Sequence, residues 1–278
     1  MRIHIICNDI AQTDSLTAEH GFSAVVECNG HRVLFDTGDT DVFLKNAKAM
    51  GLSLDNINSV VLSHAHYDHS GGLLEFCGQA KNDYSLFLSQ HFFTPKYWLE
   101  DGAYTYVGNN FTPELLAKRR IPFKLVAGGL YPLPNTQNMY LQSGYSLKTS
   151  FEQPTDKAMA YVCGKMQRDY FLEEMSLIVD TSEGLVVISG CSHLGVVNIC
   201  EQASLALNKP VCAMIGGTHL IDANKAQLDK TIAYFNAHCE IKTLAAMHCT
   251  GEDALKTLEA ECTAFFKAGV GSTLEFKD

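Results

Sequence analysis

The stretch Ser63-His64-Ala65-His66-Tyr67-Asp68-His69-Ser70-Gly71-Gly72 places four metal-binding side chains within six positions. An apolar run, 59–62, precedes it and predicts a short buried strand that delivers the loop. His64 and His66 are two residues apart, so in extended backbone they project to the same side. Imidazole and carboxylate are ligands for Zn, Fe and Mn. The loop therefore offers two imidazoles to one ion, and the carboxylate of Asp68 with the imidazole of His69 to another.

This loop resembles the H-x-H-x-D-H signature of the metallo-β-lactamase superfamily. Further segments resemble one subgroup, that of 7,8-dihydropterin-6-yl-methyl-4-(ribofuranosyl)aminobenzene-5'-phosphate synthase-like proteins. The segments that carry this resemblance are Leu34–Gly38, Gly21–Ser23, Gly190–His193, Gly216–Leu220 and His248–Gly251. The similarity covers nearly the whole chain and is weakest between about residues 91 and 157. It implies the αββα sandwich of that superfamily.

The pattern of elements independently predicts an α/β protein. Strand groups followed by helices occur twice along the chain, which fits two sheets packed face to face with helices outside. We expect a single domain over residues 1–278. Residues 91–158 are rich in aromatic residues and proline, and they predict an irregular insertion. That insertion either packs against the core or a dimer partner, or forms a lid whose aromatic faces hold a planar ligand.

Composition limits the possible partners. The 278 residues carry a net charge of −10, whereas a general nucleic-acid binder needs a basic surface. The ten cysteines contain no C-x-x-C pair and favour reduced thiols in the cytoplasm. No stretch approaches the roughly 18 apolar residues of a membrane span. We therefore expect a small-molecule substrate, no nucleic acid and no membrane, with a homodimer left open.

A site for two ions needs ligands beyond the loop, and the resemblance implies that they come from the ends of later strands. His193, His219 and His248 each follow an apolar run and adjoin a small residue. We expect His193 and His248 to ligate, whereas His219 either ligates or touches the substrate. The predicted metal ligands are thus His64, His66, Asp68, His69, His193 and His248.

The sequence departs from the superfamily pattern at two places. The later motif H-x-x-G-H is absent between residues 100 and 190, and Glu174 near its position either substitutes as a ligand or only packs nearby. Cys191 stands where the resemblance implies a bridging aspartate, and it is either a ligand or an inert buried thiol. We predict that Cys191 lies beside the metals without bridging them.

Two further residues carry open interpretations. Asp36 ends a buried run and is either a turn-capping residue or a carboxylate that orients a ligand imidazole. Lys96, in the aromatic-rich region, is a candidate contact for a substrate phosphate.

These residues predict a metal-dependent hydrolase. Two adjacent divalent ions, Zn first with Fe or Mn as alternatives, activate water and stabilise a developing oxyanion. Asp68 would orient the water, and His219 would act either as the electrophile or as the proton donor to the leaving oxygen. The substrate class is a small phosphorylated or cyclic molecule, and the subgroup resemblance implies a pterin- or aminobenzene-ribosyl phosphate. The alternatives are a catalytically silent ligand-binding sensor on the same fold, and a nuclease or phosphodiesterase of the superfamily.

Overall fold

A computed structural model describes all residues 1–278 and contains 17 strands and seven α-helices. The strands are β1 (Arg2–Cys7), β2 (Ser23–Cys28), β3 (His31–Phe35), β4 (Ser59–Val61), β5 (Ser85–Ser89), β6 (Lys96–Glu100), β7 (Ala103–Tyr106), β8 (Phe123–Val126), β9 (Gly129–Pro132), β10 (Met139–Ser143), β11 (Ala158–Val162), β12 (Lys165–Arg168), β13 (Met175–Thr181), β14 (Gly184–Ser189), β15 (Val211–Gly217), β16 (Thr243–Met247) and β17 (Thr273–Glu275). The helices are α1 (Val42–Ala49), α2 (Tyr67–Ser70), α3 (Leu73–Gln79), α4 (Pro113–Lys118), α5 (Val196–Leu207), α6 (Lys225–Ala237) and α7 (Glu252–Glu261).

Two large sheets form the centre of the molecule. The first has the order β17-β1-β2-β3-β4-β5-β8, and the second has the order β16-β15-β14-β13-β10-β9. Buried side chains from both sheets meet in one apolar cluster, which contains Phe35 and Phe87 from the first sheet and Leu177 and Ile188 from the second. Helices α1 and α3 cover the outer face of the first sheet, and α5, α6 and α7 cover that of the second. The predicted αββα sandwich is confirmed.

The local signals correspond to observed elements. Asn29 and Gly30 have φ values of 49° and 76°, as a two-residue turn with two left-handed positions requires. The flanking strands β2 and β3 pair in register, with Cys28 opposite His31. None of the helices combines the length and the apolar character needed to cross a membrane.

Parallel strands determine where the site lies. Strands β3, β4 and β5 run parallel in the first sheet, as do β14, β15 and β16 in the second. The carboxyl ends of parallel strands lie at the same edge of a sheet, and that edge is where α/β folds bind ligands. The candidate site residues follow the ends of these strands: Asp36, the 63–69 loop, Cys191, His219 and His248.

The expectation of an irregular insertion at residues 91–158 was wrong in its detail. Strand β8 extends the first sheet, β9 and β10 extend the second, and β6 and β7 form a third sheet with β11 and β12. Trp98 in β6 pairs with Ala158 in β11 across some 60 residues of sequence. Such a short strand with a distant partner carries no local signal, because its pairing depends on tertiary context.

Candidate metal centre

Three imidazoles from two different segments form one candidate ligand group, the His193 group, which consists of His64, His66 and His193. Their ligand atoms lie within 4.8 Å of one another, and Nε2 of His64 is 3.3 Å from Nε2 of His193. Burial lowers the pKa of all three, to about 4 for His66. Neutral imidazole is the form that binds a metal ion, so these rings are held in the ligating state.

A second candidate ligand group, the His248 group, consists of Asp68, His69 and His248. Nε2 of His248 lies 3.2 Å from Oδ2 of Asp68 and 3.2 Å from Nε2 of His69. Burial would raise the pKa of Asp68, but the neighbouring His69 and His248 outweigh it and hold that pKa well below its usual range. The Asp68 carboxylate is therefore ionised and available to a cation.

Asp36 orients rings of both groups. Its Oδ2 accepts hydrogen bonds from Nδ1 of His69 and from Oγ of Ser63, each at 2.7 Å. The Ser63 hydroxyl lies 2.9 Å from Nδ1 of His64 and accepts its N–H. A ligand histidine that donates one ring N–H in this way presents the lone pair of its other nitrogen to a metal. The structure places Asp36 where a ligand-orienting carboxylate must lie.

Asp9 plays the same part for His248, although no local sequence pattern indicates this role. Its Oδ1 lies 2.7 Å from Nδ1 of His248, and its Oδ2 lies 2.9 Å from Nδ1 of His20. His20 in turn lies 3.4 Å from Asp68 through its Nε2. A lone aspartate two residues beyond a strand is usually a turn residue, so only the fold shows that Asp9 faces the site.

The donor set fits a bound cation. Nδ1 of His69 lies 2.7 Å from Asp36, Nδ1 of His248 lies 2.7 Å from Asp9, and the two Nε2 atoms lie 3.2 Å apart beside the Asp68 carboxylate. Burial would lower the pKa of His248, but Asp68 and Asp9 outweigh it and raise that pKa well above its usual range, so the pocket stabilises a positive charge. A divalent ion bound to both Nε2 atoms and to Asp68 would take the place of the His248 proton. The residues present are thus suited to hold metal ions.

Two comparisons with known proteins show the family of this chain. The family model of the metallo-beta-lactamase superfamily matches residues 16–130. The crystal structure of Tm1679, a metal-dependent hydrolase of the beta-lactamase superfamily, is 34% identical over the whole of both chains, with a TM-score of 0.86. This chain belongs to the metallo-β-lactamase superfamily.

Two other relatives cover most of the chain. The 7,8-dihydropterin-6-methyl-4-(beta-D-ribofuranosyl)-aminobenzene-5'-phosphate synthase of Methanocaldococcus jannaschii is 28% identical over 269 residues, covering 90% of this chain and 88% of that protein. The crystal structure of Zn2+-bound PqqB from Methylobacterium extorquens shares the fold, with 13% identity, a TM-score of 0.54, and coverage of 99% of this chain and 100% of that one.

Glu174, a candidate replacement for the missing superfamily histidine, is not in either ligand group. Its two oxygens accept hydrogen bonds from the backbone N–H groups of His193, at 2.6 Å, and Leu194, at 2.8 Å. Burial raises its pKa to about 8. Phe171 stacks on the His193 ring, with the ring centroids 3.8 Å apart and the planes 9° from parallel. Glu174 therefore positions His193, because both of its oxygens are used by the backbone.

Lys96, the candidate phosphate contact, is buried in an ion pair and does not line the cleft, so the structure gives that prediction no support. Its side chain is 1% exposed, and its Nζ lies 2.8 Å from Asp169 and 2.7 Å from Glu173. The same ammonium lies over the Phe171 ring, 5.3 Å from its centroid. Two buried carboxylates already compensate the charge, so Lys96 instead supports the loop that carries Phe171 and Glu174.

Cys191 lies between the two ligand groups. Its Sγ is 3.1 Å from Nε2 of His69, and it forms a possible ligand set with His64 and His69. A further set joins it to His248 and to the thiol of Cys249, which was not among the predicted site residues. Burial raises the pKa of Cys191 well above its usual value. That Cys191 does not bridge two metals stays a prediction.

His219 lies beside the ligand groups and is a member of neither. Its ring centroid is 4.3 Å from that of His193, and its backbone N–H donates to Sγ of Cys249 at 3.3 Å. It also lines the cleft onto which the ligand groups open. This placement suits a substrate contact better than direct ligation.

The cleft has a volume of about 460 Å³. Trp98 from the third sheet lines it, as the lid hypothesis expected of the aromatic region. Phe92 and Phe111 from the same region are instead buried in the core beside α3, as the packing hypothesis expected. Each hypothesis therefore describes a different part of residues 91–158.

Proposed function

We propose that this chain is a metal-dependent hydrolase that holds two divalent ions and acts on a small phosphorylated or cyclic substrate. The observation that carries the proposal is the pair of ligand groups at one cleft, with ring nitrogens oriented by Asp36 and Asp9. The 34% identity to a metal-dependent hydrolase supports it. The 28% identical relative is named a synthase, which supports a phosphorylated substrate with an aromatic part.

When bound, the two ions lower the pKa of water and polarise a substrate oxygen. The ionised Asp68 carboxylate accepts a hydrogen bond from the attacking water and orients it. His219 lines the cleft and belongs to neither ligand group, which supports a role as the donor of a proton to the leaving oxygen. Glu174 holds the backbone of His193, and Phe171 holds its ring by stacking on it.

We propose zinc as the resident metal, with iron and manganese as alternatives. Imidazole, carboxylate and nearby thiol groups are ligands that zinc accepts, and the Zn2+-bound neighbour of the same fold supports the choice. We also propose that residues 1–278 act as one domain in the cytoplasm. A nuclease is less suited to the net charge of −10.

The test combines metal analysis with a substrate screen. Protein purified without chelators is analysed for bound metal and assayed against phosphodiesters, lactones and thioesters. We expect about two divalent ions per chain and turnover of at least one class, lost after chelation and restored by zinc. Bound metal and ligand affinity without turnover of any class would instead support the sensor alternative.

A further inference from the structure

The third sheet and the residue before β11 provide a wall of the cleft that contains none of the predicted metal ligands. Trp98 and Glu100 belong to β6, Thr105 belongs to β7, and Lys157 directly precedes β11. All four line the same cleft as His219. A substrate whose reacting bond lies at the metal centre therefore places its remaining part against this wall.

Lys157 is the one lysine or arginine among the residues that line the cleft. Its ammonium lies 3.8 Å from the carboxylate of Glu100, and the two side chains are 47% and 66% exposed. An exposed pair at that separation contributes little to stability and is easily exchanged. A ligand whose anionic group reaches Lys157 displaces Glu100 from this pair. The anion then forms a charge-assisted hydrogen bond with the ammonium, which is stronger than the exposed pair.

Trp98 gives the wall a fixed aromatic surface. The indole is partly buried and packs against a small apolar cluster formed by Ala158, Phe171 and Leu194. Phe171 in turn stacks on His193, so the indole and the ligand groups belong to one packed unit. The ammonium of Lys157 lies 5.8 Å from the Trp98 ring centroid. A rigid indole beside a cation suits a planar ring that carries a negative charge.

We propose, resting on the proposed function, that Trp98 and Lys157 form the recognition site for the non-reacting part of the substrate. The chemical class that this site takes is a planar aromatic ring bearing an anionic group. Trp98 contacts the ring and Lys157 pairs with the anion. These residues determine specificity and take no part in bond cleavage.

The test measures binding and needs no turnover, so its failure is distinct from failure of the proposed function. The probe is benzenesulfonate, which combines a ring with an anion that coordinates metals poorly, and methanesulfonate is the matched probe without a ring. Trp98 is the only tryptophan of the chain, so its fluorescence reports binding at this wall. The zinc-loaded full chain is titrated as wild type, Lys157→Gln and Lys256→Gln.

We expect benzenesulfonate to change the fluorescence with a lower Kd than methanesulfonate. Lys157→Gln should raise the Kd for benzenesulfonate roughly tenfold, as loss of a hydrogen bond to a charged group does. Lys256→Gln removes the same charge from the neighbouring cavity and should leave the Kd within about twofold of wild type. An unchanged Kd in Lys157→Gln, equal affinity for the two probes, or no fluorescence response would overturn the proposal.

Discussion

The two ligand groups differ in where their supporting carboxylates act. In the His248 group, Asp36 and Asp9 accept hydrogen bonds from the imidazole rings of His69 and His248, each at 2.7 Å. Such bonds fix the tautomer and raise the basicity of the ligand nitrogen. We therefore expect this group to bind its ion more tightly.

In the His193 group, Asp36 reaches the ring of His64 only through Ser63, and the carboxylates beside His193 hold backbone instead. Glu174 accepts from the N–H groups of His193 and Leu194, and Glu152 accepts from those of Val197 and Asn198 at 2.9 Å each. The loop shape and the Phe171 stack then place the His193 ring. The His248 group thus depends on ring hydrogen bonds, whereas the ring of His193 depends on a correctly folded loop, and variants can separate the two.

The largest expected effect comes from His66→Ala, which removes one of three ligands of the His193 group. Metal content should fall by roughly half, because the His248 group keeps its ion, and turnover should be lost. Metal analysis and the substrate assay measure both quantities. His91→Ala, which removes an exposed histidine, is the control. Full metal retention in His66→Ala would remove this residue from the ligand set.

Lys96→Met tests whether the loop supports the His193 group. It leaves the buried carboxylates of Asp169 and Glu173 without their cation, which should lower the free energy of unfolding by about 3–5 kcal/mol. We expect the His193 group to lose its ion while the His248 group retains its own. Urea unfolding and metal analysis give the two readouts.

A neutral triple variant, Lys96→Met with Asp169→Asn and Glu173→Gln, serves as the control for that experiment. It removes the uncompensated charge and should recover most of the lost stability. If Lys96→Met is as stable as wild type, the buried cluster does not support the loop.

Asp9→Asn and Asp36→Asn compare the ring-orienting carboxylates. Loss of such a partner typically costs about 10–100-fold in metal affinity. Asp9→Asn should weaken metal binding only in the His248 group. Asp36→Asn should weaken metal binding in both groups, because Asp36 also holds His64 through Ser63. Competition with a chelator measures each affinity. Equal effects of the two variants on both ions would contradict the assignment.

The smallest expected effect concerns pH and Glu152. Burial raises the pKa of Glu152 to about 6 in the folded protein, above its unfolded value. The folded state therefore binds the Glu152 proton more tightly than the unfolded state does. The contribution of this proton to the free energy of unfolding falls by about 2 kcal/mol as the pH rises from about 4.5 to about 6. Glutamine cannot titrate, so the stability of wild type relative to Glu152→Gln should decline across that range. Urea unfolding of both proteins at pH 4 and pH 7.5 measures this, and a constant difference would contradict it.

Local sequence patterns predict the strand ends of the site well. The 63–69 loop, the turn at 29–30 and the imidazoles of His193 and His248 each stand beside an apolar run or a glycine, which marks them in the sequence. The sandwich follows from the same alternation of strands and helices. These features depend on residues that are neighbours in the chain.

The rest of the site depends on contacts between residues far apart in sequence. Asp9 meets His248 across 239 positions, and Lys96 meets Asp169 across 73. Lys96 was predicted to bind phosphate because nothing in Thr94-Pro95-Lys96 shows that two acidic residues of a later loop cover it. The third sheet was missed for the same reason.

The most direct test of the two-ion centre is anomalous diffraction from crystals of protein purified without chelators, with data collected on both sides of the zinc edge. We predict two zinc peaks about 3.5–4 Å apart, as in other two-metal sites. One peak should lie within bonding distance of the His193 group and the other within bonding distance of the His248 group. A single peak, or a His193 ring turned away from both peaks, would contradict the account.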